Sequence, residues 1–131
     1  MKEAVLISDK PIICIDFDGV IHSYVSGWQG TTNIPDPPTA NAEFALESYI
    51  FDGFEVVILS SRSSDRRGRV AMYRWFQKHL PKLADRVVFA THKPPAVLTI
   101  DDRAFCFQGA FPSSEEIRAF RSWVQPKKEL A

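Results

Sequence analysis

Acidic residues stand in pairs at the ends of two apolar runs in this chain. Asp16 and Asp18 end and follow the run PIICID, and Asp101 and Asp102 end and follow the run VLTID. Carboxylates brought close together repel each other, and a hard divalent cation such as Mg²⁺ relieves that repulsion by taking oxygen ligands. One carboxylate of such a site can act as a nucleophile, and a second can act as a general acid and base.

A hydroxyl and an ammonium group follow two further apolar runs. Ser60 ends FEVVILS, and Lys93 comes shortly after RVVFA. Such groups can hold the oxygens of a transferring phosphoryl group. A lone aspartate after a strand is most often a turn former, so the interpretation depends on the coincidence of four such run ends. Together they fit phosphoryl transfer through an aspartyl-phosphate.

The apolar runs are short, nearly continuous and rich in β-branched residues, which is typical of buried strands. We predict strands at 11–16, 54–60, 86–90 and 97–101, and a short fifth strand at 104–108. Helical spacing predicts one helix from Thr39 to about Gly53 and a second from about Asp65 to Leu80. Ser113 and Glu116 form a capping-box pattern that opens a last helix through Trp123, with Pro126 as its stop.

Strands that alternate with helices predict an α/β fold, specifically a Rossmann-like three-layer sandwich whose mostly parallel sheet is covered on both faces. Ligands of such sheets bind beyond the carboxyl ends of the strands. The predicted chemistry-bearing residues therefore meet at one edge of the sheet. The segment 17–38 has no clear periodicity and predicts a long loop.

Composition limits the remaining possibilities. The chain has 131 residues, 45% of them apolar and 24% charged, and its formal net charge is zero. These values predict a single globular domain over 1–131 and exclude a disordered chain or a disulfide scaffold. No apolar run is long enough to span a membrane, and we expect a cytoplasmic protein. Cys14 and Cys106 lie in apolar segments, where we expect two buried thiols.

Four sequence motifs in order resemble those of the haloacid dehalogenase (HAD) superfamily. They are DFDGV at 16–20, VVILS at 56–60, Lys93, and VLTIDD at 97–102. The resemblance covers about residues 11 to 108. It implies a phosphatase, because an aspartate at the position of Asp18 marks the phosphatases and phosphomutases of that superfamily.

The resemblance also implies a role for each motif residue. Asp16 would be the nucleophile and an Mg²⁺ ligand. Asp18 would be the general acid and base, and its backbone carbonyl would be a metal ligand. Ser60 and Lys93 would bind the phosphoryl oxygens. The pair Asp101 and Asp102 would complete the metal site, with the direct ligand left open between them.

A finer similarity concerns the substrate. Ser60-Ser61-Arg62 resembles the Ser-Gly-Arg segment of polynucleotide kinase-phosphatases, with Ser61 departing from the pattern, and implies that Ser61 and Arg62 contact substrate. The loop after the first strand is long enough for a flap, and no segment is long enough for a full cap domain. An open site suits bulky phosphoesters, so a nucleotide or a phosphorylated nucleic-acid end is the favoured substrate. The sequence leaves the oligomeric state undetermined.

Several features keep alternatives open. Arg66, Arg67 and Arg69 form either a solvated helix face or an anion patch. Trp28 and Tyr24 could stack on a ring of the substrate, and the alternative for Trp28 is that it anchors the flap. His22 follows the first motif closely enough to reach the site. Carboxylates at strand ends also build metal-dependent nucleases, and a non-catalytic binding module of the same fold is the third possibility. A phosphoacceptor receiver domain fits less well, because no aspartate follows the third strand.

Overall fold

The computed structural model describes residues 1–5 and 9–124. Within these ranges lie four strands and three helices: β1 (Ile12–Ile15), α1 (Ala42–Phe51), β2 (Glu55–Ile58), α2 (Arg66–His79), β3 (Val88–Phe89), β4 (Leu98–Ile100) and α3 (Ser114–Ala119). The strands form one all-parallel sheet in the order β3-β2-β1-β4. The α/β class and the four principal strands predicted from the sequence are confirmed.

Local sequence signals explain where the helices begin and end. The Asp65 carboxylate accepts a hydrogen bond from the backbone N–H of Arg67 and caps α2, and Pro81 follows the C-cap Leu80. Helix α1 is followed by Gly53, whose φ of 95° is in the left-handed region that favours glycine. The capping box of Ser113 and Glu116 is present at the start of α3.

Both longer helices cover the same face of the sheet. Leu46 of α1 and Phe76 of α2 belong to one buried cluster with Ile13, Ile15 and Ile58 of the strands. Successive strands β1, β2 and β3 advance in one direction across the sheet, so right-handed crossovers place both connecting helices on one side.

The opposite face is covered differently from what we expected. The chain returns to β4 on the far edge through residues 90–97, which contain two prolines and no helix. The described residues packed against this face, Val5, Leu59 and Ala96, belong to non-helical segments. A helical layer on both faces is therefore not seen in the described part of the chain.

Three further expectations are wrong. Residues 104–108 form no strand and are exposed, because the sheet ends at β4 and offers them no described partner. Helix α3 ends at Ala119 rather than Trp123, and the predicted stop Pro126 lies outside the described residues. Cys14 is buried as expected, but Cys106 is exposed, and both are free thiols.

Residues 20–38, which we call the flap loop, contain no helix or named strand. Backbone pairing of His22 with Pro38 brings the two ends of the loop together. The backbone N–H of Thr39 donates to the Ile21 carbonyl at 2.8 Å, and that of Ser23 donates to the Pro37 carbonyl at 2.9 Å. Separately, no helix among the described residues has the length and apolar character to cross a membrane.

Candidate active site

Three of the predicted carboxylates converge at the carboxyl edge of the sheet. Ile15 and Ile100 are register partners in β1 and β4, so the residues that follow them, Asp16 and Asp101, emerge side by side. The backbone N–H of Asp16 donates to the Ile100 carbonyl at 2.9 Å. One carboxylate oxygen from each of Asp16, Asp101 and Asp102 lies within 4.8 Å of the others. These hard oxygen donors are a set that Mg²⁺ accepts.

The electrostatics of this cluster favour a cation. Burial, reinforced by the negative charge of Asp101 and by a hydrogen bond and charge from Asp102, raises the pKa of Asp16 to about 8. A hydrogen bond from the backbone N–H of Phe17 opposes the shift without cancelling it. Without a cation, Asp16 therefore holds a proton at neutral pH. A bound divalent cation would favour the carboxylate instead.

Gly19 permits the close approach of the two acidic pairs. Its φ is 83°, and a Cβ atom at this position would collide with the carboxylate of Asp102. Two physical constraints therefore explain why position 19, in the DFDGV motif, is a glycine. One is its backbone conformation, and the other is the space taken by the second acidic segment.

The segment before residue 125 adds two contacts that sequence reasoning missed. The Ser122 hydroxyl donates to Oδ2 of Asp102 at 2.9 Å, and the Trp123 indole N–H donates to the Gly19 carbonyl at 2.8 Å. Ser122 is itself buried. No local pattern in the sequence marks either residue, because each contact joins segments far apart along the chain.

The Asp18 side chain is bound by two side chains, Arg62 and His22. Arg62 donates from Nε to Oδ2 at 3.0 Å and from Nη2 to Oδ1 at 3.2 Å. His22 Nδ1 lies 2.8 Å from Oδ1. Both Asp18 oxygens accept in this arrangement, which is a bidentate Arg–carboxylate pair supplemented by an imidazole.

The tautomer of His22 follows from its partners. The backbone N–H of Asp36 can only donate, and it lies 3.1 Å from His22 Nε2, so Nε2 is the acceptor. Nδ1 then carries the proton and donates to Asp18. His22 is completely buried, and this contact brings it to the side chain of Asp18.

Arg62 is placed inward, not toward solvent. Its side chain is 0% exposed, and Nη1 donates to the carbonyls of Gly30 and Thr31, each at 2.8 Å. The Trp28 ring lies 4.6 Å from the guanidinium carbon, a cation–π contact. The predicted direct substrate contact of Arg62 does not fit this placement. Arg62 instead joins Asp18 to the flap loop. The contact of Trp28 with Arg62 fits the second alternative given for Trp28, that it anchors this loop.

Close packing around Arg62 explains a glycine inside a helix. A Cβ at Gly68 of α2 would collide with the backbone carbonyl of Arg62 and press on the Thr31 methyl group. Glycine in a helix interior costs about 1 kcal/mol relative to alanine. Here that cost allows the helix, the turn after β2 and the flap loop to meet.

The remaining predicted residues lie around this centre. Ser60 follows β2, and its Oγ accepts from the backbone N–H of Arg62 at 3.1 Å, which leaves the hydroxyl hydrogen for another acceptor. Ser61 and Lys93 are exposed. Burial raises the pKa of the Cys14 thiol, against the charge of Lys93 and together with those of Asp16 and Asp101. Lys93 therefore lies within electrostatic range of the same residue as two of the clustered carboxylates.

Comparison with known proteins adds no relative. No protein-family model, curated protein or solved structure matches the chain. The functional argument therefore depends on the geometry of the strand ends.

Proposed function

We propose that this protein is a magnesium-dependent phosphomonoester hydrolase of the HAD type that works through an aspartyl-phosphate on Asp16. The observation that carries the proposal is the meeting of Asp16, Asp101 and Asp102 within 4.8 Å beside the end of β2, where Ser60 stands. The assignment of the fold as Rossmann-like is part of the same proposal. The all-parallel sheet and the site beyond its carboxyl edge support it.

Mg²⁺ would be held by the carboxylates of Asp16 and of the pair Asp101 and Asp102, with the Asp18 carbonyl as a further oxygen donor. When bound, it would offset the negative charge of the phosphoryl group and of the carboxylates around it. Asp102 is half-buried and fixed by Ser122, and Asp101 is exposed. Asp101 Oδ1 accepts from the backbone N–H of Arg103 at 2.8 Å, so a local turn orients this exposed carboxylate as Ser122 orients Asp102.

In the first step, a carboxylate oxygen of Asp16 attacks phosphorus and the bond to the leaving oxygen breaks. The leaving oxygen takes a proton from Asp18. In the second step, water attacks the phosphoryl group and gives a proton to Asp18, and the Asp16–phosphorus bond breaks. The Ser60 hydroxyl and the Lys93 ammonium would hold the non-bridging phosphoryl oxygens in both steps.

Asp18 requires a rearrangement for the first step. Its oxygens accept from Arg62 and His22 in this structure, and a proton donor needs one oxygen to carry hydrogen. His22 does not supply that proton in this arrangement, because its Nε2 accepts from the Asp36 N–H and cannot take up a second hydrogen, so the proton on Asp18 would come from water. Movement of the flap loop, which Arg62 binds, would change the same contacts.

The site has no covering domain among the described residues. Residues 61–93 contain a turn, α2 and β3, and the flap loop is the only described insertion after β1. A bulky phosphoester can itself exclude water from such a site. This supports a nucleotide or a phosphorylated nucleic-acid end as the favoured substrate class.

The test is phosphate release with and without Mg²⁺ from nucleoside monophosphates, 3′- and 5′-phosphorylated oligonucleotides, sugar phosphates, a phosphopeptide and an aryl phosphate. Asp16→Asn should lower kcat by about a thousandfold or more, as loss of a nucleophile does. Asp52→Asn is the matched control, because Asp52 is an exposed aspartate after α1. It should keep full activity.

Other outcomes would assign another class. Cleavage of unphosphorylated oligonucleotides at internal phosphodiesters, with no phosphate released from monoesters, would indicate a metal-dependent nuclease. Calorimetric Mg²⁺ binding with no turnover of any substrate would indicate a binding module. Either result would overturn the phosphatase proposal.

A further inference from the structure

A groove lies between helix α2 and the flap loop. It has a volume of about 500 Å³ and is lined by Thr32 of the flap loop and by a face of α2: Arg66, Arg67, Val70, Ala71 and Arg74. Val70 and Ala71 form an aliphatic floor. Three of the lining residues are arginines, so the groove combines aliphatic with cationic side chains.

The charge of this helix is unlike that of the whole chain. Helix α2 contains five Lys and Arg residues and no acidic residue, whereas the chain as a whole has zero net charge. Arg69 is paired with Glu3 at 3.2 Å, and the exposed Arg67 is paired with Asp65 at 3.0 Å. Arg66 and Arg74 make no ion pair with a described residue. The two unpaired guanidiniums both line the groove.

The groove is joined to the proposed catalytic centre through Arg62. The same guanidinium pairs with Asp18 and binds the carbonyls of Gly30 and Thr31, the residues just before Thr32. The Trp28 ring, in the same loop, is 45% exposed although it packs on Arg62. The flap loop thus supplies the aromatic ring, and helix α2 supplies the aliphatic and arginine side chains.

We propose that this groove binds the sugar-phosphate backbone and bases of single-stranded polynucleotide next to the hydrolysed phosphate. Sequence-tolerant single-strand binding combines a basic groove with aromatic side chains on which bases stack; here the arginines would meet the phosphates and the exposed part of Trp28 would supply the stacking face. An acidic peptide would use the arginines but offers no bases to stack on Trp28. The proposal rests on the proposed function for its orientation, because the strand enters the groove from a terminal phosphate at Asp16.

Binding is measured apart from catalysis. Fluorescence anisotropy of a labelled, phosphorylated oligothymidylate is recorded with the full chain in EDTA, from low to moderate salt. The double variant Arg66→Gln with Arg74→Gln should bind about tenfold more weakly. Its slope of log K against log salt should fall by about 0.7 for each arginine removed. The matched control is Lys82→Gln with Arg86→Gln, which removes two exposed charges outside the groove and should bind like wild type.

A variant of the groove floor adds a second criterion. Ala71→Glu fills the floor and adds negative charge on a helix that tolerates glutamate, so it should also weaken binding while circular dichroism shows a folded protein. If both groove variants bind like wild type, the groove proposal is wrong. Equal affinity for an acidic peptide of the same charge would also overturn it, in favour of a general anion site.

The two proposals fail separately. In kinetics, the double arginine variant should raise KM for phosphorylated oligonucleotides while leaving kcat and the turnover of an aryl phosphate unchanged. If the protein turns over small esters, and neither oligonucleotide length nor the groove variants affect its kinetics, the phosphatase proposal is supported and the groove proposal is wrong. If oligonucleotide binding depends on the groove residues but no phosphate is released, the groove proposal is supported and the phosphatase proposal is wrong.

Discussion

The part of the sheet formed by β1, β2 and β3 and the part formed by the edge strand β4 differ in how completely the rest of the chain covers them. On the side of β1, β2 and β3, the side chains of Phe17, Ile58 and Phe76 are 0% exposed. On the side of β4, Leu98 is 59% exposed and Phe111 is 86% exposed. The first region holds two helices and the flap loop, whereas the second is an edge strand followed by mostly irregular chain. The proposed active site lies across the boundary between them.

The carboxylates of the proposed site come from both regions and therefore have different surroundings. Asp16, Asp18 and Ser60 belong to the well-packed region, where Asp18 is fixed by Arg62 and His22. Asp101 and Asp102 follow the exposed strand. Two described hydrogen bonds join the regions at the site, from the Asp16 N–H to the Ile100 carbonyl and from the Trp123 indole to the Gly19 carbonyl, while the Ser122 hydroxyl holds Asp102 within the exposed region. The geometry of the metal site therefore depends on how firmly the exposed region is attached.

The largest expected effect compares an arginine from each region. Arg62→Met removes the cation that pairs with the Asp18 carboxylate and the hydrogen bonds that hold the flap loop. The free energy of unfolding should therefore fall by about 3–5 kcal/mol. Arg103 is 51% exposed and lies 3.9 Å from Asp102. Arg103→Met should therefore change the stability by less than about 0.5 kcal/mol. Urea unfolding followed by tryptophan fluorescence measures both.

A second substitution checks the stated cause. Asp18→Asn in the Arg62→Met background removes the uncompensated charge, so the double variant should recover part of the lost stability. If Arg62→Met and Arg103→Met prove equally mild, the difference in packing between the two regions does not extend to their charged residues.

The next effect is the pH dependence of the metal-free protein. The pKa of Asp16 is raised from 3.8 to about 8, so the folded chain holds a proton that the unfolded chain has released. Stability should therefore fall as pH rises between about 4 and 8. Asp16→Asn lacks this titration, while every other ionisable residue is shared. The free energy of unfolding in EDTA should decline more steeply with pH for wild type than for the variant.

Magnesium sharpens the same comparison. Saturating Mg²⁺ favours ionised Asp16, so it should flatten the pH slope of wild type and bind more tightly as pH rises. The variant should show much less of either effect. Parallel slopes for the two proteins without metal would mean that Asp16 does not hold the proton.

The sequence predicts the well-packed region better than the exposed one. Helix α2 is bounded by Asp65 and Pro81, local signals that depend on nearby residues, and it matches the prediction within one residue at each end. The segment 104–108 has strand-forming residues, but a strand also needs a neighbour, and pairing is not encoded in the segment itself. The covering of the second face is missed for a similar reason, because it follows from the strand order and from the short link to β4.

The site shows the same limit. The meeting of Asp16 with Asp101 and Asp102 is predictable, because parallel strands deliver their carboxyl ends to one edge. The inward position of Arg62 is not, since an arginine after a strand is exposed by default. Its burial depends on a carboxylate and on carbonyl groups that come from the distant flap loop. The roles of these residues in catalysis stay predictions.

The smallest expected effect concerns a contact within the exposed region that positions Asp102. Ser122→Ala removes one hydrogen bond to Asp102, so it should lower stability by about 1 kcal/mol. Ser114→Ala is the matched control, because Ser114 is an exposed serine at the first position of α3, and it should change stability little. The variant should also weaken Mg²⁺ binding, since Asp102 loses the contact that fixes its position. Isothermal titration with Mg²⁺ measures that change, and unchanged affinity would show that the second region positions its carboxylates without Ser122.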